Sequence, residues 1–407
     1  MRILFTAPRF HTNQVPIVKG LIEKGHEVRF FVAFEGAIED HRYCQPLVLK
    51  PSRYTVREKK RLSKIKSESD VESAIGGHFV PDFAFLKTAF TSFMPDIVIC
   101  REKTNLTACV YALCRKNHVS CILYDQEPLY PGKIEKDLNP SSQKRKSINE
   151  KIQTIMRRKL SPDMRQLVRF REKYGFPKQR ITPVKYMVGY PPANFGNHFG
   201  NGWYVPLVYT LPEEASPTPI NPSEPVQLLC VAKYRPYKSL PVLLNAMNQT
   251  RDLSNWRLTV IGQMRTDDEI SYYGEMAHEV QAMGLTDRIR LLKDVPYAEM
   301  PEVYAKHHLL ILPSKKETFG MTVLEAMGYG LDVIVSDGCG VAFCAEEAGS
   351  SIFQAGNAKS LSDAIRARLI EPTQITLQGQ KNTEYIRKQF SFSTYYDCLH
   401  AVIQNEM

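Results

Sequence analysis

Short apolar segments alternate with segments of helical spacing through the second half of the chain, and this alternation limits the fold more than any other feature. The apolar segments lie at 226–232, 257–262, 289–292, 309–312 and 332–337. Strands that are apolar along nearly their whole length are typical of a parallel sheet covered by helices on both faces. The sequence therefore predicts an α/β, doubly wound domain that binds ligands at the carboxyl ends of its strands.

The N-terminal half shows the same pattern. Strands are predicted at 2–8, 25–31, 96–100 and 121–124, with helices at 15–23 and 107–114. In the C-terminal half, a helix is predicted at 275–283. With 407 residues, 43% of them apolar, the chain is long enough for two or three domains with their own cores.

Prolines at 212, 217, 219, 222 and 225 mark a break between the two halves. A segment with this spacing of prolines forms neither a helix nor a central strand, so it is predicted to be a linker. We therefore predict an N-terminal domain at 1–210, a linker at 211–225, a C-terminal domain at 226–390 and a final helical segment at 391–407.

Two glutamates eight residues apart, Glu317 and Glu325, give the strongest functional signal. Glu317 follows the predicted strand at 309–312, and helical spacing begins at Met321. The free N–H groups and the positive dipole end of a helix N-terminus bind anions. Carboxylates on either side of such a site accept hydrogen bonds from hydroxyl groups. A nucleotide sugar has this layout, with sugar hydroxyls, a diphosphate and ribose hydroxyls in sequence.

The segment resembles the E-x7-E motif of retaining glycosyltransferases of the GT-B architecture, and most closely family 4, the glycosyl transferases group 1. The resemblance implies that Glu317 contacts the donor sugar and that Glu325 holds the ribose. The resemblance also implies that the donor sugar and its phosphates are contacted by four residues, Phe319, Gly320, Met321 and Thr322. A solvated loop carboxylate and an exposed helix glutamate would show the same spacing by chance.

The resemblance also implies the whole architecture. It predicts a GT-B fold of two Rossmann-like doubly wound domains with an interdomain cleft, in which the C-terminal domain holds the donor and the N-terminal domain holds the acceptor. It further implies that the segment at 391–407 crosses back to the N-terminal domain.

A second motif follows the predicted strand at 226–232. The family pattern there is Gly-Arg-Leu-x-x-x-Lys-Gly, and this chain has Lys233 at the arginine position and Lys238 at the lysine position. The resemblance implies that both neutralise the donor diphosphate as the glycosidic bond breaks, although lysine lacks the planar fork of arginine. Alternatively, they are two surface lysines among 53 basic residues.

Four positions depart from the family pattern. Ala232 and Ser239 replace the two glycines of the lysine motif, Asp332 stands where proline is usual, and Asp294 stands where glycine is common. Because of these two aspartates, the sequence does not identify the base that the pocket accepts, and so it does not identify the nucleotide.

Four polar residues of the N-terminal half are candidates for the cleft that binds the acceptor. His11 and Asn13 lie in the loop after the first predicted strand, and Asp125 and Glu127 follow the strand at 121–124. The carboxyl ends of parallel strands are where ligands bind. Packing or helix capping explains the same residues equally well.

Charge is divided unevenly along the chain. Residues 1–190 contain 35 basic and 19 acidic side chains, whereas the rest contains 18 basic and 24 acidic ones. The basic segment at 144–160 has helical spacing, which indicates either a helix on an anionic membrane surface or an ordinary helix that packs its apolar stripe into the domain. The basic surface also suits an anionic acceptor. No nucleic-acid module is recognised, so no nucleic-acid partner is expected.

Several classes of site have no signature in the sequence. There is no zinc-type spacing of Cys and His, no Walker loop and no Gly-x-Ser-x-Gly elbow, and we expect no metal or cofactor. Nine irregularly spaced cysteines are typical of reduced thiols in the cytosol. Without a signal-peptide pattern or a long apolar segment, we expect a cytoplasmic protein, either free or peripheral on the inner face of the membrane.

The function implied is a retaining transfer of a sugar from a nucleotide-diphosphate sugar to an acceptor hydroxyl, in polysaccharide, lipopolysaccharide or glycolipid biosynthesis. The acceptor expected is a saccharide or a lipid-linked saccharide. The alternatives are a sugar-nucleotide epimerase of the same fold and a carbohydrate-binding scaffold without turnover.

Overall fold

A computed structural model describes residues 1–36, 39–64, 68–102, 104–125, 160–174, 186–188, 198–199, 202–211, 216–264, 266–317 and 319–404. The chain divides into two compact units. Unit 1 contains Met1–Val208 and Phe392–Met407, and unit 2 contains Tyr209–Ser391.

Unit 1 is built on a sheet with the order β3-β2-β1-β4-β5-β6-β8-β7. Its strands are β1 (Arg2–Ala7), β2 (Glu27–Val32), β3 (Leu47–Val48), β4 (Ile97–Arg101), β5 (Ser120–Asp125), β6 (Tyr186–Val188), β7 (His198–Phe199) and β8 (Gly202–Tyr204). The described pairs are parallel except that β7 and β8 are antiparallel. Side chains of β1 and β4 are almost completely buried, as the apolar segments predict.

Some helices of unit 1 begin at residues whose side chains cap them. They are α1 (Val15–Glu23), α2 (Arg53–Leu62), α3 (Glu68–His78), α4 (Phe83–Phe93), α5 (Asn105–Asn117) and α6 (Pro162–Tyr174). Asp82 accepts hydrogen bonds from the first free N–H groups of α4, and Thr104 and Thr107 cap α5 reciprocally. α5 is buried along most of its length, so it fills the layer between the sheet and its neighbouring helices.

The last helix of the chain lies in unit 1. This helix, α14 (Phe392–Gln404), follows the whole of unit 2 in sequence. Tyr396 of α14 contacts the loop after α1, where its hydroxyl lies 3.0 Å from His26 Nε2. Tyr395, Leu399 and Val402 are buried.

Unit 2 contains a six-stranded parallel sheet with the order β11-β10-β9-β12-β13-β14. Its strands are β9 (Val226–Val231), β10 (Trp256–Gly262), β11 (Ile289–Lys293), β12 (Leu309–Leu312), β13 (Asp332–Ser336) and β14 (Ser351–Phe353). The order reverses between β9 and β12, which is the switch point at which open α/β sheets bind ligands. The predicted α/β class with two Rossmann-like domains is confirmed by the two sheets, of which one is parallel and the other is parallel except for the β7–β8 pair.

The helices of unit 2 complete the doubly wound arrangement. They are α7 (Leu240–Gln249), α8 (Asp267–Ala282), α9 (Met300–Ala305), α10 (Met321–Gly328), α11 (Ala342–Glu347), α12 (Ala358–Ile370) and α13 (Pro372–Gln389). α8 begins earlier than the predicted 275–283 because Thr266 and Glu269 form a reciprocal capping box. Within the described ranges, no helix has the length and apolar content that crossing a membrane requires.

The segment predicted to be a linker packs against unit 2. Between 216 and 225 it contains neither helix nor strand. Pro217 lies on Gly330, whose φ is +82° and where an added Cβ would be 2.5 Å from the Pro217 nitrogen. The Thr218 hydroxyl donates to the Ala305 carbonyl at 2.6 Å. Tyr209 also belongs to this unit and lies against Gly328, at the end of α10.

A buried ion pair holds α12 against β13. The carboxylate of Asp332 is fully buried and accepts hydrogen bonds from Arg368 Nε at 2.5 Å and from the Ser350 hydroxyl at 3.1 Å. Burial raises the pKa of Asp332, and the Arg368 guanidinium acts in the opposite direction. Because burial penalises an unpaired carboxylate, the charge of Asp332 depends on Arg368.

We predict that Arg368→Met lowers the free energy of unfolding by about 3–5 kcal/mol, since it leaves a buried carboxylate without its cation. Urea unfolding of the full chain measures the change. The matched control is Arg366→Met in the same helix, because Arg366 pairs with Asp252 at the surface. Its loss should be much smaller, and equal losses for the two variants would contradict the buried-charge explanation.

Candidate functional site

A cavity of about 310 Å³ lies at the switch point of the unit 2 sheet. It is lined by residues that follow β9 and by residues that follow β12, the two strands at which the order reverses. From the residues predicted to be functional, the structure brings together Lys233, Lys238, Glu317, Gly320, Met321, Thr322 and Glu325. The two motifs therefore form one site, although about 80 residues separate them in sequence.

The loop that carries Glu317 is fixed by its own backbone. The Glu317 N–H donates to the Gly338 carbonyl at 3.1 Å, and the Gly340 N–H donates to the Glu317 carbonyl at 3.1 Å. The Val341 N–H donates to the Phe319 carbonyl at 2.8 Å, and Phe319 itself is buried. These hydrogen bonds continue the pairing of β12 and β13 beyond the ends of the two strands. The backbone that carries the Glu317 carboxylate is therefore fixed in position.

Gly320 starts the helix that follows. Its φ is +109°, a conformation that L residues rarely adopt, and an added Cβ would lie 2.8 Å from Val341 Cγ1. α10 begins at the next residue, and its first two residues, Met321 and Thr322, line the cavity. The free N–H groups of this helix end and its positive dipole give the site a preference for anions.

The two motifs are joined by an ion pair. Lys238 ends a short 3-10 turn (Pro236–Lys238), and its ammonium group contacts Glu317 Oε2. Both side chains are mostly shielded from solvent, with 12% and 21% exposed. The Lys315 N–H also donates to the Tyr237 carbonyl at 2.9 Å, which ties the two loops together. Lys233 is exposed at the cavity, and in the described part of the chain it forms no ion pair.

Ser239, which replaces a glycine of the family pattern, adopts a left-handed conformation with a φ of +53°. It immediately precedes α7, which begins at Leu240. The turn thus keeps the backbone conformation that glycine favours. Because serine has a Cβ, it adopts this left-handed conformation only with strain.

We predict that Ser239→Gly stabilises the protein by up to about 1 kcal/mol, because relief of the left-handed strain outweighs the greater freedom of glycine in the unfolded chain. Urea unfolding measures the gain. Ser239→Ala is the control, since it removes the hydroxyl and keeps the strain. A gain of equal size in Ser239→Ala would assign the effect to the hydroxyl and contradict the prediction.

Glu325 is held by a residue that the sequence analysis missed. The Tyr304 hydroxyl donates to Glu325 Oε2 at 2.6 Å, and the Tyr304 ring stacks on Tyr329 with 5.2 Å between centroids. Burial raises the pKa of Glu325, and the bond from Tyr304 partly counteracts this rise. Tyr304 and the highly exposed Tyr297 also line the cavity. Tyr297 follows the carboxyl end of β11 by four residues, and this position is the signal that would have found it, whereas Tyr304 lies within α9.

The two aspartates that depart from the family pattern have different surroundings. Asp294 has a φ of +53°, and its carboxylate accepts from the Met264 N–H at 3.0 Å, so it links the loops after β11 and β10. Asp332 lies at the amino end of β13 and pairs with Arg368. The expectation that Asp332 bears on the base pocket is therefore wrong, since this end of the sheet is opposite the cavity.

The candidates in unit 1 lie at the carboxyl ends of its strands. His11 precedes a 3-10 turn (Thr12–Gln14) in the loop after β1, and the Asn13 side chain accepts from Gln14 Nε2 at 3.3 Å. Burial, followed by the charges of Arg101 and Arg9, lowers the pKa of His11 to about 4. Its imidazole is therefore neutral at pH 7.

Other predictions for this half fall partly or wholly outside the described residues. Asp125 ends β5, and Glu127 lies outside the described ranges. The basic segment predicted at 144–160 also lies outside them, apart from its last residue. In the described ranges, no group of three or more His, Cys, Asp or Glu side chains is placed to hold a metal ion.

The cavity lies within the part of the chain that matches a known protein family. Residues 213–388 match the family model of glycosyl transferases group 1. The C-terminal unit belongs to this family. The resemblance drawn from the two glutamates and two lysines is thereby confirmed, and those residues all lie within the group 1 match.

One relative of the group 1 region is the lipopolysaccharide core biosynthesis mannosyltransferase LpcC of Rhizobium leguminosarum bv. viciae. The two chains are 27% identical over 176 residues, which is 42% of this chain and 49% of the relative. The chain thus matches about half the length of this curated relative.

Solved structures resemble the whole chain in fold. The Anabaena protein Alr3699/HepE, in complex with UDP, aligns with a TM-score of 0.64 at 11% identity, over 100% of both chains. Sucrose-phosphate synthase from Thermosynechococcus elongatus also aligns with a TM-score of 0.64, at 14% identity, over 100% of this chain and 98% of the other. These similarities show that the fold extends beyond the group 1 match.

Proposed function

We propose that this protein is a retaining glycosyltransferase that moves a sugar from a nucleotide-diphosphate sugar to an acceptor hydroxyl. The observation that carries the proposal is the meeting of Glu317, Lys238 and the start of α10 in one cavity at the switch point of unit 2. A carboxylate, an ammonium group and a helix N-terminus together match a sugar joined to a diphosphate.

Charge on the leaving diphosphate is the main target of catalysis in this scheme. Negative charge grows on the phosphate oxygen as the glycosidic bond breaks, and groups that contact it more strongly then accelerate the reaction. Lys233, Lys238 and the first N–H groups of α10 are placed for this role. The positive charge they supply supports transfer without a metal ion.

Glu317 positions the donor sugar in the proposed mechanism. Its pairing with Lys238 keeps a carboxylate beside the group that binds the phosphates. The acceptor oxygen attacks the anomeric carbon from the face that the diphosphate leaves, and a leaving phosphate oxygen takes the acceptor proton. The anomeric configuration is thus retained without a covalent intermediate on Glu317.

The proposal also covers the acceptor, the biosynthetic process and the location of the protein. Similarity to LpcC supports a place in lipopolysaccharide or polysaccharide biosynthesis, with a saccharide or lipid-linked saccharide as the acceptor. The excess of basic residues at 1–190 supports a cytoplasmic protein that is peripheral on an anionic membrane surface.

Release of nucleoside diphosphate from a panel of UDP-, GDP- and ADP-sugars tests the proposal, with mass spectrometry of the sugar product. We expect release from one donor, and we expect Glu317→Ala and Lys238→Ala each to reduce it about 100-fold or more. Their melting temperatures should stay within a few degrees of the wild type. Lys359→Ala, in the exposed part of α12, is the control and should keep full activity.

Two outcomes would contradict this function. Interconversion of the donor sugar without any acceptor would favour the epimerase alternative. Nucleotide-sugar binding without turnover of any donor, with the acceptor pool of a cell extract supplied, would favour the scaffold.

A pH-dependent prediction follows from the Tyr304–Glu325 hydrogen bond. The Glu325 carboxylate is expected to accept hydrogen bonds from the ribose, so nucleotide binding should weaken as the pH falls through the pKa of Glu325. Loss of the Tyr304 hydroxyl removes a bond that lowers this pKa. Tyr304→Phe should therefore move the weakening to higher pH, as measured by calorimetric titration with the nucleoside diphosphate.

Tyr329→Phe is the matched control for this measurement. Its ring stacks on Tyr304, whereas the hydrogen bond to Glu325 comes from Tyr304. It should keep the wild-type pH profile. Identical profiles for Tyr304→Phe and the wild type would show that the bond does not set the protonation of Glu325.

A further inference from the structure

A second cavity, of about 810 Å³, lies in unit 1 between α4, α5 and α6. α5 begins in the loop after β4, and the residues of α5 that line the cavity lie in the second half of the helix. The cavity is therefore on the helical face of the unit, away from the carboxyl ends of the strands at which open α/β sheets bind ligands. Transfer of a sugar between a donor and an acceptor does not account for it.

The cavity has an apolar floor. It is formed by side chains of all three helices, namely Phe83, Leu86, Cys109, Ala112, Leu113 and Phe170. The rings of Phe83 and Phe170 pack edge to face with 5.2 Å between their centroids, which joins α4 to α6. Burial raises the pKa of the Cys109 thiol, so this side chain remains uncharged. A hydrocarbon chain fits such a floor, since it needs no hydrogen bonds along its length.

The rim of the cavity is positively charged. Lys87 on α4, Lys116 on α5, and Arg169 and Lys173 on α6 line it, and all four side chains are exposed. Among the lining residues that the structure describes, none is acidic. Lys87 and Lys116 form no ion pair within the described ranges. The rim therefore attracts an anionic group at the edge of an apolar cavity.

Size and charge together select the kind of occupant. Cavities of about 300–1,000 Å³ are typical of small ligands, whereas a protein partner needs a contact of about 1,200–2,000 Å². The basic segment at 144–160 has the same sign of charge as the rim, so charge complementarity does not favour it. A small molecule with an apolar chain and one anionic end matches both the floor and the rim.

We propose that this cavity binds a free long-chain alkyl carboxylate, with its chain on the apolar floor and its carboxylate beside Lys87 and Lys116. The cations of the rim are exposed and belong to three helices, so they suit a single charge that stays in contact with water. The site is independent of the proposed function, because it uses none of the residues that line the cavity of unit 2.

Binding of cis-parinaric acid, a fluorescent fatty acid, to the full chain tests the site. The fluorescence should rise in a saturable manner, and unlabelled alkyl carboxylates below their micelle concentrations should displace the probe. From octanoate through decanoate to dodecanoate, each added methylene should tighten binding about fourfold until the chain fills the cavity. Dodecyltrimethylammonium, which has a similar chain and the opposite charge, should compete about tenfold less well than dodecanoate.

Two variants locate the probe. Ala112→Phe adds a ring to the floor and should weaken binding about tenfold or more, because it displaces part of the chain. The double variant Lys87→Glu/Lys116→Glu reverses the charge of the rim and should weaken binding about tenfold at low salt. Its matched control is Lys64→Glu/Arg115→Glu, which changes the net charge equally at exposed residues outside the cavity and should bind as the wild type does.

Several results would overturn the proposal. They are the absence of saturable binding, equal competition by dodecyltrimethylammonium, and equal losses in the rim variant and its control. Binding only of vesicles that contain an acidic phospholipid would assign the surface to a membrane instead. Displacement of the probe by a nucleoside diphosphate would place it in unit 2. If Ala112→Phe fails to fold, the chain-length series and the rim variant still decide the outcome.

Discussion

Parallel pairing of β9 with β12 is the constraint on which the candidate site depends. Because strands are added on one side of β9 and then on the other, the loops after these two strands diverge and leave a cavity between them. The lysine turn follows β9 and the glutamate loop follows β12. The apolar, almost fully buried side chains of β12 hold the ends of both loops in register, so core packing sets the geometry of the polar site.

The polar groups of the site are supported from behind rather than left to solvent. Glu317 is placed by backbone bonds to the segment after β13, and Glu325 is oriented by Tyr304. Such support fixes side chains before a ligand arrives, which reduces the entropy lost on binding.

Sequence patterns predicted the class of the fold and brought attention to most of the residues that line the cavity of unit 2, because both depend on local signals. Apolar segments gave the strands, and the spacing of Glu317 and Glu325 gave a loop and a helix start. Tyr304 was missed because its role depends on Glu325, a neighbour that is distant in sequence. Asp332 was misjudged for the same reason, since its partner Arg368 lies two helices further along the chain. The predicted start of the C-terminal domain at 226 rested only on the positions of the prolines. These positions do not show which residues the prolines pack against.

That packing decides where unit 2 can be separated from the rest of the chain. Tyr209 rests on Gly328 and Pro217 rests on Gly330, so the segment before β9 covers the end of α10, the helix whose start lines the cavity. A chimera that exchanges only 226–390 would strip this cover and expose one end of the helix. Exchange of Tyr209–Ser391 as a whole keeps the helix clamped at the end remote from the cavity, and so defines the unit that can be moved intact into another chain.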